Sequence, residues 1–165
     1  MADIDETMDP AAAAFDEVAR LSREKALAVP REKEDSVIAA DTIVVCEGRV
    51  LGKPHEAEEA RQMLRQQSGR DHQVMTGMTV LRGDAAAVIT EVTDLRFREL
   101  SDREIDAYVA TGEPMDKAGA YGIQGGAALF CERMVGDYYN VMGLPVCRLS
   151  KILHQIAPDM MGGAV

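Results

Sequence analysis

The stretch that decides the fold is Val37-Ile-Ala-Ala-Asp-Thr-Ile-Val-Val-Cys46. It is a nearly continuous apolar run rich in β-branched residues, a composition typical of a buried strand. Only Asp41-Thr42 interrupts the run. A turn at Glu47-Gly48 and the short apolar segment 49–51 follow directly. The stretch therefore predicts a buried strand that continues into a hairpin.

Helical and extended patterns alternate on either side of this strand. Upstream, Asp9-Pro10 predicts a helix start, with Asp9 as N-cap and Pro10 in the first turn. Downstream, the predicted elements are a helix over 56–67, strands over 73–81, 86–93 and 95–98, a helix over 101–111 with a Ser101/Glu104 capping box, a strand near 127–132, and a helix over 145–156. This order lacks a strict βαβ rhythm and predicts an α/β domain with a mixed sheet.

Composition excludes several functional classes. The 165 residues include 18 Lys+Arg and 28 Asp+Glu, a formal charge of −10, which argues against nucleic-acid and anionic-membrane binding. No apolar run approaches the roughly 18 residues that span a bilayer. The acidic start does not resemble a signal peptide, and three cysteines without C-x-x-C spacing favour reduced thiols in the cytoplasm. We expect one domain over 1–156 and a flexible tail over 157–165.

Asp41 is the most informative candidate for chemistry. A carboxylate inside a buried apolar strand is costly unless it is paired, bound to backbone amides, or bound to a metal ion. Lys53 follows the hairpin that folds back beside Asp41, and is either a phosphate ligand or a surface turn residue. Lys25 lies on the apolar stripe of the first predicted helix. It is either a lysine with a buried stem or an ammonium directed into a site.

Two further segments extend this pattern. Glu6, in the acidic N-terminal run, could bind a hard cation together with Asp41, or be simply solvated. Asp116-Lys117 precedes a glycine-rich stretch that reaches Gly126, whose amides could approach a phosphate or whose glycines could serve turn geometry. Together the acids predict a divalent metal site and the lysines a phosphate site. Such a site would let an acidic protein hold an anionic nucleotide.

Several blocks of sequence together resemble the Maf family of nucleoside triphosphate pyrophosphatases, also called septum-formation inhibitor proteins. In chain order they are Ala40-Asp-Thr-Ile-Val44, Leu51-Gly-Lys-Pro54, His72-Gln-Val-Met-Thr-Gly77, Asp116-Lys-Ala-Gly-Ala-Tyr-Gly-Ile-Gln-Gly125 and Asn140-Val-Met-Gly-Leu-Pro145. The match runs over nearly the whole chain. The resemblance implies an elongated mixed sheet flanked by helices, similar to inosine-triphosphate pyrophosphatases.

The resemblance also implies an activity, namely hydrolysis of a nucleoside triphosphate to the monophosphate and pyrophosphate with Mg²⁺ or Mn²⁺. By position, Asp41 matches the family's proposed catalytic proton acceptor, and Glu6 an acidic residue near the metal and triphosphate. The lysines that match phosphate-side positions are Lys25, Lys53 and Lys117. Thr42 and Gln124 match the pair associated with the dTTP/UTP-cleaving subgroup. Homodimers are common in the family.

The resemblance has one departure at the N-terminus. Family members normally begin with a strand and an S-x-S-P-R-R loop, which the sequence lacks. We therefore expect a Maf-like fold without its first strand, and activity impaired by the missing arginines. The alternative is a truncated or degenerate, non-catalytic family member that binds nucleotides or regulates septum formation.

Overall fold

The computed structural model describes residues 7–9 and 12–162. Within them, five strands form one sheet in the order β2-β1-β3-β4-β5. The strands are β1 (Ser36–Cys46), β2 (Arg49–Leu51), β3 (Asp71–Arg82), β4 (Ala85–Phe97) and β5 (Cys131–Val135). The predicted α/β class, a sheet flanked by helices, is confirmed.

The strands run antiparallel, whereas the sequence predicted a mixed sheet. The physical reason lies in the connections, because two-residue turns join only antiparallel neighbours. Glu47 and Gly48 turn β1 into β2 with φ of 51° and 75°, the positive values that a tight hairpin turn requires. A similar two-residue turn with Gly83 at φ 53° leads from β3 into β4.

Five α-helices accompany the sheet in the described residues. They are α1 (Ala14–Leu27), α2 (Ala57–Gln67), α3 (Asp102–Val109), α4 (Tyr138–Val141) and α5 (Val146–Ile156). The capping box predicted for α3 is present, with Ser101 and Glu104 each accepting the other's backbone N–H. The predicted N-cap Asp9 is wrong, since α1 begins at Ala14 and the Asp9 backbone N–H donates to the Glu17 carboxylate at 2.9 Å. Pro10 lies outside the described residues.

Near the glycine-rich stretch, the predicted strand over 127–132 is also displaced. A short 3-10 turn occupies Gly126–Leu129, and β5 begins only at Cys131. Its register with β4 pairs Leu95 with Met134 and shifts by a bulge between Arg96 and Phe97. The small, alanine-rich segment therefore turns instead of extending.

The chain divides into two compact units. The first contains residues 1–41, 76–91 and 143–165. Its core joins β3 to α5 through five buried residues: Met78, Val80, Ile152, Leu153 and Ala157. Helix α1 packs directly on β3 in this unit. The approach is so close that a Cβ on Gly77 would lie 2.1 Å from the Val18 carbonyl oxygen. Only glycine permits this approach.

The tail that the sequence predicts to be flexible makes contacts in the first unit as far as Met161. Ala157 is fully buried, and Arg82 pairs with Asp159 at 2.6 Å. Mobility of the tail and the single domain over 1–156 stay predictions.

The second unit contains residues 42–75 and 92–142. A cluster of aromatic rings lies in its core, with Phe97 in edge-to-face contact with His72, Tyr121 and Phe130 at centroid distances of 4.7 to 6.0 Å. Tyr108 contacts Phe130 in the same way. Helices α2 and α3 cover this core with buried residues such as Leu64 and Ile105. Rigid packing of this kind fixes the glycine-rich stretch on which Tyr121 lies.

Candidate active site

In the first unit, Asp41 and Lys25 form a direct ion pair. The Lys25 ammonium donates to the Asp41 carboxylate, and the two side chains are 22% and 17% exposed. Asp41 lies in the middle of β1, and Lys25 lies in the last turn of α1. The charged group inside the apolar strand is therefore paired, as its burial requires.

Local helix geometry explains why Lys25 reaches this position. Val18, Leu21 and Lys25 share one face of α1, and the first two are almost completely buried. The apolar stem of the lysine continues that face, while its ammonium meets the carboxylate. A cation in the last turn is also favoured by the helix dipole. The Lys25 ammonium thus has an acidic partner, and its part in a phosphate site stays a prediction.

In the second unit, Lys117 and Lys53 both act on Asp116. The Lys117 ammonium donates to the Asp116 carboxylate at 2.6 Å and to the Glu113 carbonyl at 3.1 Å. The Asp116 pKa is lowered, first by Lys117 and further by the charge of Lys53. The Gly119 N–H also donates to the Gly52 carbonyl at 3.0 Å. This bond ties the glycine-rich stretch to the turn that carries Lys53, so two of the predicted phosphate-side lysines lie in one neighbourhood.

A cavity of about 430 Å³ adjoins Lys53 within the second unit. Arg49 and His55 lie on its wall together with Lys53, beside the first turns of α2. The acidic side chain in this lining is Glu59, which accepts the His55 backbone N–H at 2.7 Å. The cavity wall thus carries two cationic side chains, Arg49 and Lys53, of which the sequence analysis identified only Lys53.

The glycine-rich stretch closes around the carboxylate of Glu113. One oxygen of Glu113 accepts from the Tyr108 hydroxyl at 2.8 Å, and the other accepts from the Gly126 N–H at 3.2 Å. Tyr108 is buried, and burial is the first cause that raises the pKa of its hydroxyl, which therefore stays protonated as a donor. Gln124 is exposed within this stretch.

The remaining predicted residues take separate positions. Thr42 is half-buried and directly follows Asp41 in β1. Glu6 lies outside the described residues. Lys53 is exposed and Lys117 is half-buried.

A divalent cation fits this donor set in a limited way. No group of three or more metal-ligating side chains occurs in residues 7–9 and 12–162. Mg²⁺ commonly binds through one or two carboxylates together with substrate phosphates, not through a complete protein cage. Asp41 offers one carboxylate, which is bonded to the Lys25 ammonium, and its part as a metal ligand stays a prediction. The described residues thus suit a cation that arrives with a nucleotide.

Comparison with known proteins identifies the family. A family profile described as Maf-like protein matches residues 1–156. The chain belongs to the Maf-like protein family. In the described part of this Maf-like protein, no helix has both the length and the apolar character needed to cross a bilayer.

Three curated relatives of this Maf-like protein share one name, dTTP/UTP pyrophosphatase. The dTTP/UTP pyrophosphatase of Halalkalibacterium halodurans is 50% identical over 151 residues, covering 91% of this chain and 80% of the relative. The dTTP/UTP pyrophosphatase of Bacillus cytotoxicus is 44% identical over 156 residues, covering 94% of this chain and 82% of the relative. The dTTP/UTP pyrophosphatase of Bacillus cereus is 43% identical over 161 residues, covering 97% of this chain and 84% of the relative.

Sequence reasoning missed Glu113 and Tyr108 in this Maf-like protein. Glu113 follows Gly112 and precedes Pro114, so it looks like an ordinary residue at the end of a helix. No sequence signal distinguishes Glu113, because Asp116 stands nearer to the glycine-rich stretch and carries the same acceptor group.

Proposed function

We propose that this Maf-like protein hydrolyses dTTP and UTP to the nucleoside monophosphate and pyrophosphate. Relatives at 43 to 50% identity that cover at least 91% of the chain are named dTTP/UTP pyrophosphatase, which supports the proposal. The observation that carries it is the Lys25–Asp41 pair, which puts a paired carboxylate in the middle of a mainly apolar strand.

Asp41 is the proton acceptor in this proposal. Its carboxylate takes a proton from the attacking water, and the new bond forms between the water oxygen and the α-phosphorus while the pyrophosphate leaves. A carboxylate fixed by an ammonium keeps one oxygen oriented by Lys25 and leaves the other available. A positioned base of this kind contributes about 10²- to 10⁴-fold in rate.

Lysines supply the charge complementary to the triphosphate. We assign Lys25, Lys53 and Lys117 to the phosphate groups, where preorganised ammonium groups stabilise the charge that develops on the leaving pyrophosphate. We assign Thr42 and Gln124 to the nucleobase, in line with the family resemblance. The Lys117 ammonium is held by Asp116 before the substrate arrives, and Lys53 lies near enough to Asp116 to lower its pKa.

We assign a divalent cation, Mg²⁺ or Mn²⁺, to Asp41 and Glu6 together with the phosphates. When bound, such a cation neutralises phosphate charge and lowers the pKa of bound water. The resemblance also leads us to propose a homodimer and a cytoplasmic location. Light scattering of the purified chain tests the dimer by its mass.

The experiment measures pyrophosphate release from dTTP, UTP, dCTP and GTP with Mg²⁺. We expect dTTP and UTP to be the preferred substrates, and Asp41→Asn to lower their kcat by 10²- to 10⁴-fold with an unchanged circular dichroism spectrum. Asp84→Asn is the matched control, because Asp84 is an exposed residue of the β3–β4 turn. Wild-type turnover in Asp41→Asn would contradict the assignment of the base.

A further inference from the structure

The pair formed by Glu113 and Tyr108 holds both ends of the segment Gly122–Gly126. The Tyr108 hydroxyl accepts the Gly122 N–H at 3.0 Å and donates to Glu113 at 2.8 Å. The other oxygen of Glu113 accepts the Gly126 N–H at 3.2 Å. The pair, in which Tyr108 is buried and Glu113 is half-buried, thus fixes a five-residue turn at its first and last amides.

Close packing inside this turn shows that it is shaped to the carboxylate. A Cβ on Gly125 would lie 2.0 Å from Oε1 of Glu113, and one on Gly122 would lie 3.1 Å from the same oxygen. Glycine at position 125 therefore lets the backbone approach the Glu113 carboxylate more closely than any other residue would. The Gly125 N–H closes the turn by donating to the Gly122 carbonyl at 3.1 Å.

Gln124 is the residue with a long polar side chain in this turn. It lies two positions from each amide that the pair anchors, and it is exposed. A glutamine amide both donates and accepts, as does the O4/N3–H edge of uracil or thymine. Reading such an edge depends on the amide's orientation, because a site built to hydrogen-bond one base leaves polar groups unpaired with another.

We propose that Glu113 is a positioning residue that sets nucleobase preference through Gln124. This inference rests on the proposed function, since it concerns selection among nucleoside triphosphates. Glu113 holds the turn, the turn aims the Gln124 amide, and the amide distinguishes a uracil edge from a guanine edge. Glu113 itself does not touch the substrate.

A double-mutant cycle tests the proposal. The readout is the ratio of kcat/KM for UTP to that for GTP, two substrates with the same ribose and phosphates. We expect Glu113→Gln to lower this ratio about tenfold, the factor that corresponds to ~1.4 kcal/mol. In a Gln124→Ala background, Glu113→Gln should change the ratio no further. Glu99→Gln, at an exposed glutamate of the same unit, is the matched control.

A purely structural role for Glu113 gives a different pattern. Equal fold-changes with and without the Gln124 side chain, or an unchanged ratio in Glu113→Gln, would overturn the proposal. Tyr108→Phe is the second variant, and it should shift the ratio in the same direction because it removes a donor to Glu113.

Amide hydrogen exchange provides a readout that needs no turnover. We expect the Gly126 N–H to exchange at least tenfold faster in Glu113→Gln than in the wild-type protein, while unchanged exchange would overturn the positioning role. Failure of the proposed function looks different, since the wild-type chain would then release no pyrophosphate from UTP or GTP whatever the exchange rates show.

Discussion

Lowering the pH should destabilise the protein through a single buried histidine, His72. Its ring contacts Phe97 and Tyr121 edge to face, and its Nε2 lies 3.0 Å from the Tyr121 hydroxyl. Burial is the main cause that lowers the pKa of His72 from 6.5 to about 4. The folded protein therefore binds this proton more weakly than the unfolded chain does.

The sign and size of the effect follow from this difference. Stability from neutral His72 is fully present above the unfolded pKa and is lost as the pH falls from 6.5 towards about 4. Proton linkage between pH 7.5 and 5.0 with these two pKa values gives a loss of about 2 kcal/mol in the free energy of unfolding. This loss is large beside a typical total stability of about 5 to 15 kcal/mol.

Urea unfolding followed by circular dichroism measures this effect at the two pH values. The same series on His72→Gln removes the titration, so the wild-type protein should lose about 2 kcal/mol more than the variant between pH 7.5 and 5.0. His55→Gln, at an exposed histidine, should behave like the wild type. Identical pH dependence in the wild type and His72→Gln would refute the reasoning, as would an NMR titration that puts the His72 pKa near 6.5.

Two substitutions should destabilise the fold without touching a charged group. Gly77→Ala would place a Cβ 2.1 Å from a backbone carbonyl oxygen of α1. We expect thermal unfolding to show a loss of about 1 to 3 kcal/mol in the free energy of unfolding. Gly52→Ala is the control, because open space surrounds Gly52, and it should change the stability little. Gln67→Leu removes the donor of the 2.7 Å hydrogen bond to the Gly119 carbonyl, and urea unfolding should show a loss of about 1 to 3 kcal/mol in stability. Gln62→Leu, on the exposed side of α2, is the control. A loss below about 0.5 kcal/mol in Gln67→Leu would contradict the importance of this buried hydrogen bond.

Local patterns predicted the local structure well. The structure contains the strand predicted over 37–46, the Glu47-Gly48 turn and the capping box of α3. Each of them depends on residues close together in the chain. The start of α1 was missed since the Asp9 amide bonds to Glu17, a competing local contact. The strand predicted over 127–132 begins later, at Cys131, because the alanines and glycines before it show no strand periodicity.

The candidate site was predicted only in its parts. Asp41 stood out as a charge in an apolar strand, but its pairing with Lys25 depends on how α1 packs in the first unit, which no sequence pattern specifies. Glu113 was missed for the same reason, since its importance arises from glycines nine or more residues further along the chain. Contacts between distant residues are what sequence patterns carry least.

The most direct test of the account is the fate of water oxygen in dTTP hydrolysis. The reaction is run with Mg²⁺ in ¹⁸O-labelled water and followed by ³¹P NMR and mass spectrometry. Water attack at the α-phosphorus predicts equal amounts of dTMP and pyrophosphate, with ¹⁸O in dTMP alone, and loss of both products in Asp41→Asn. Formation of dTDP and inorganic phosphate, or ¹⁸O in the pyrophosphate, would contradict the account.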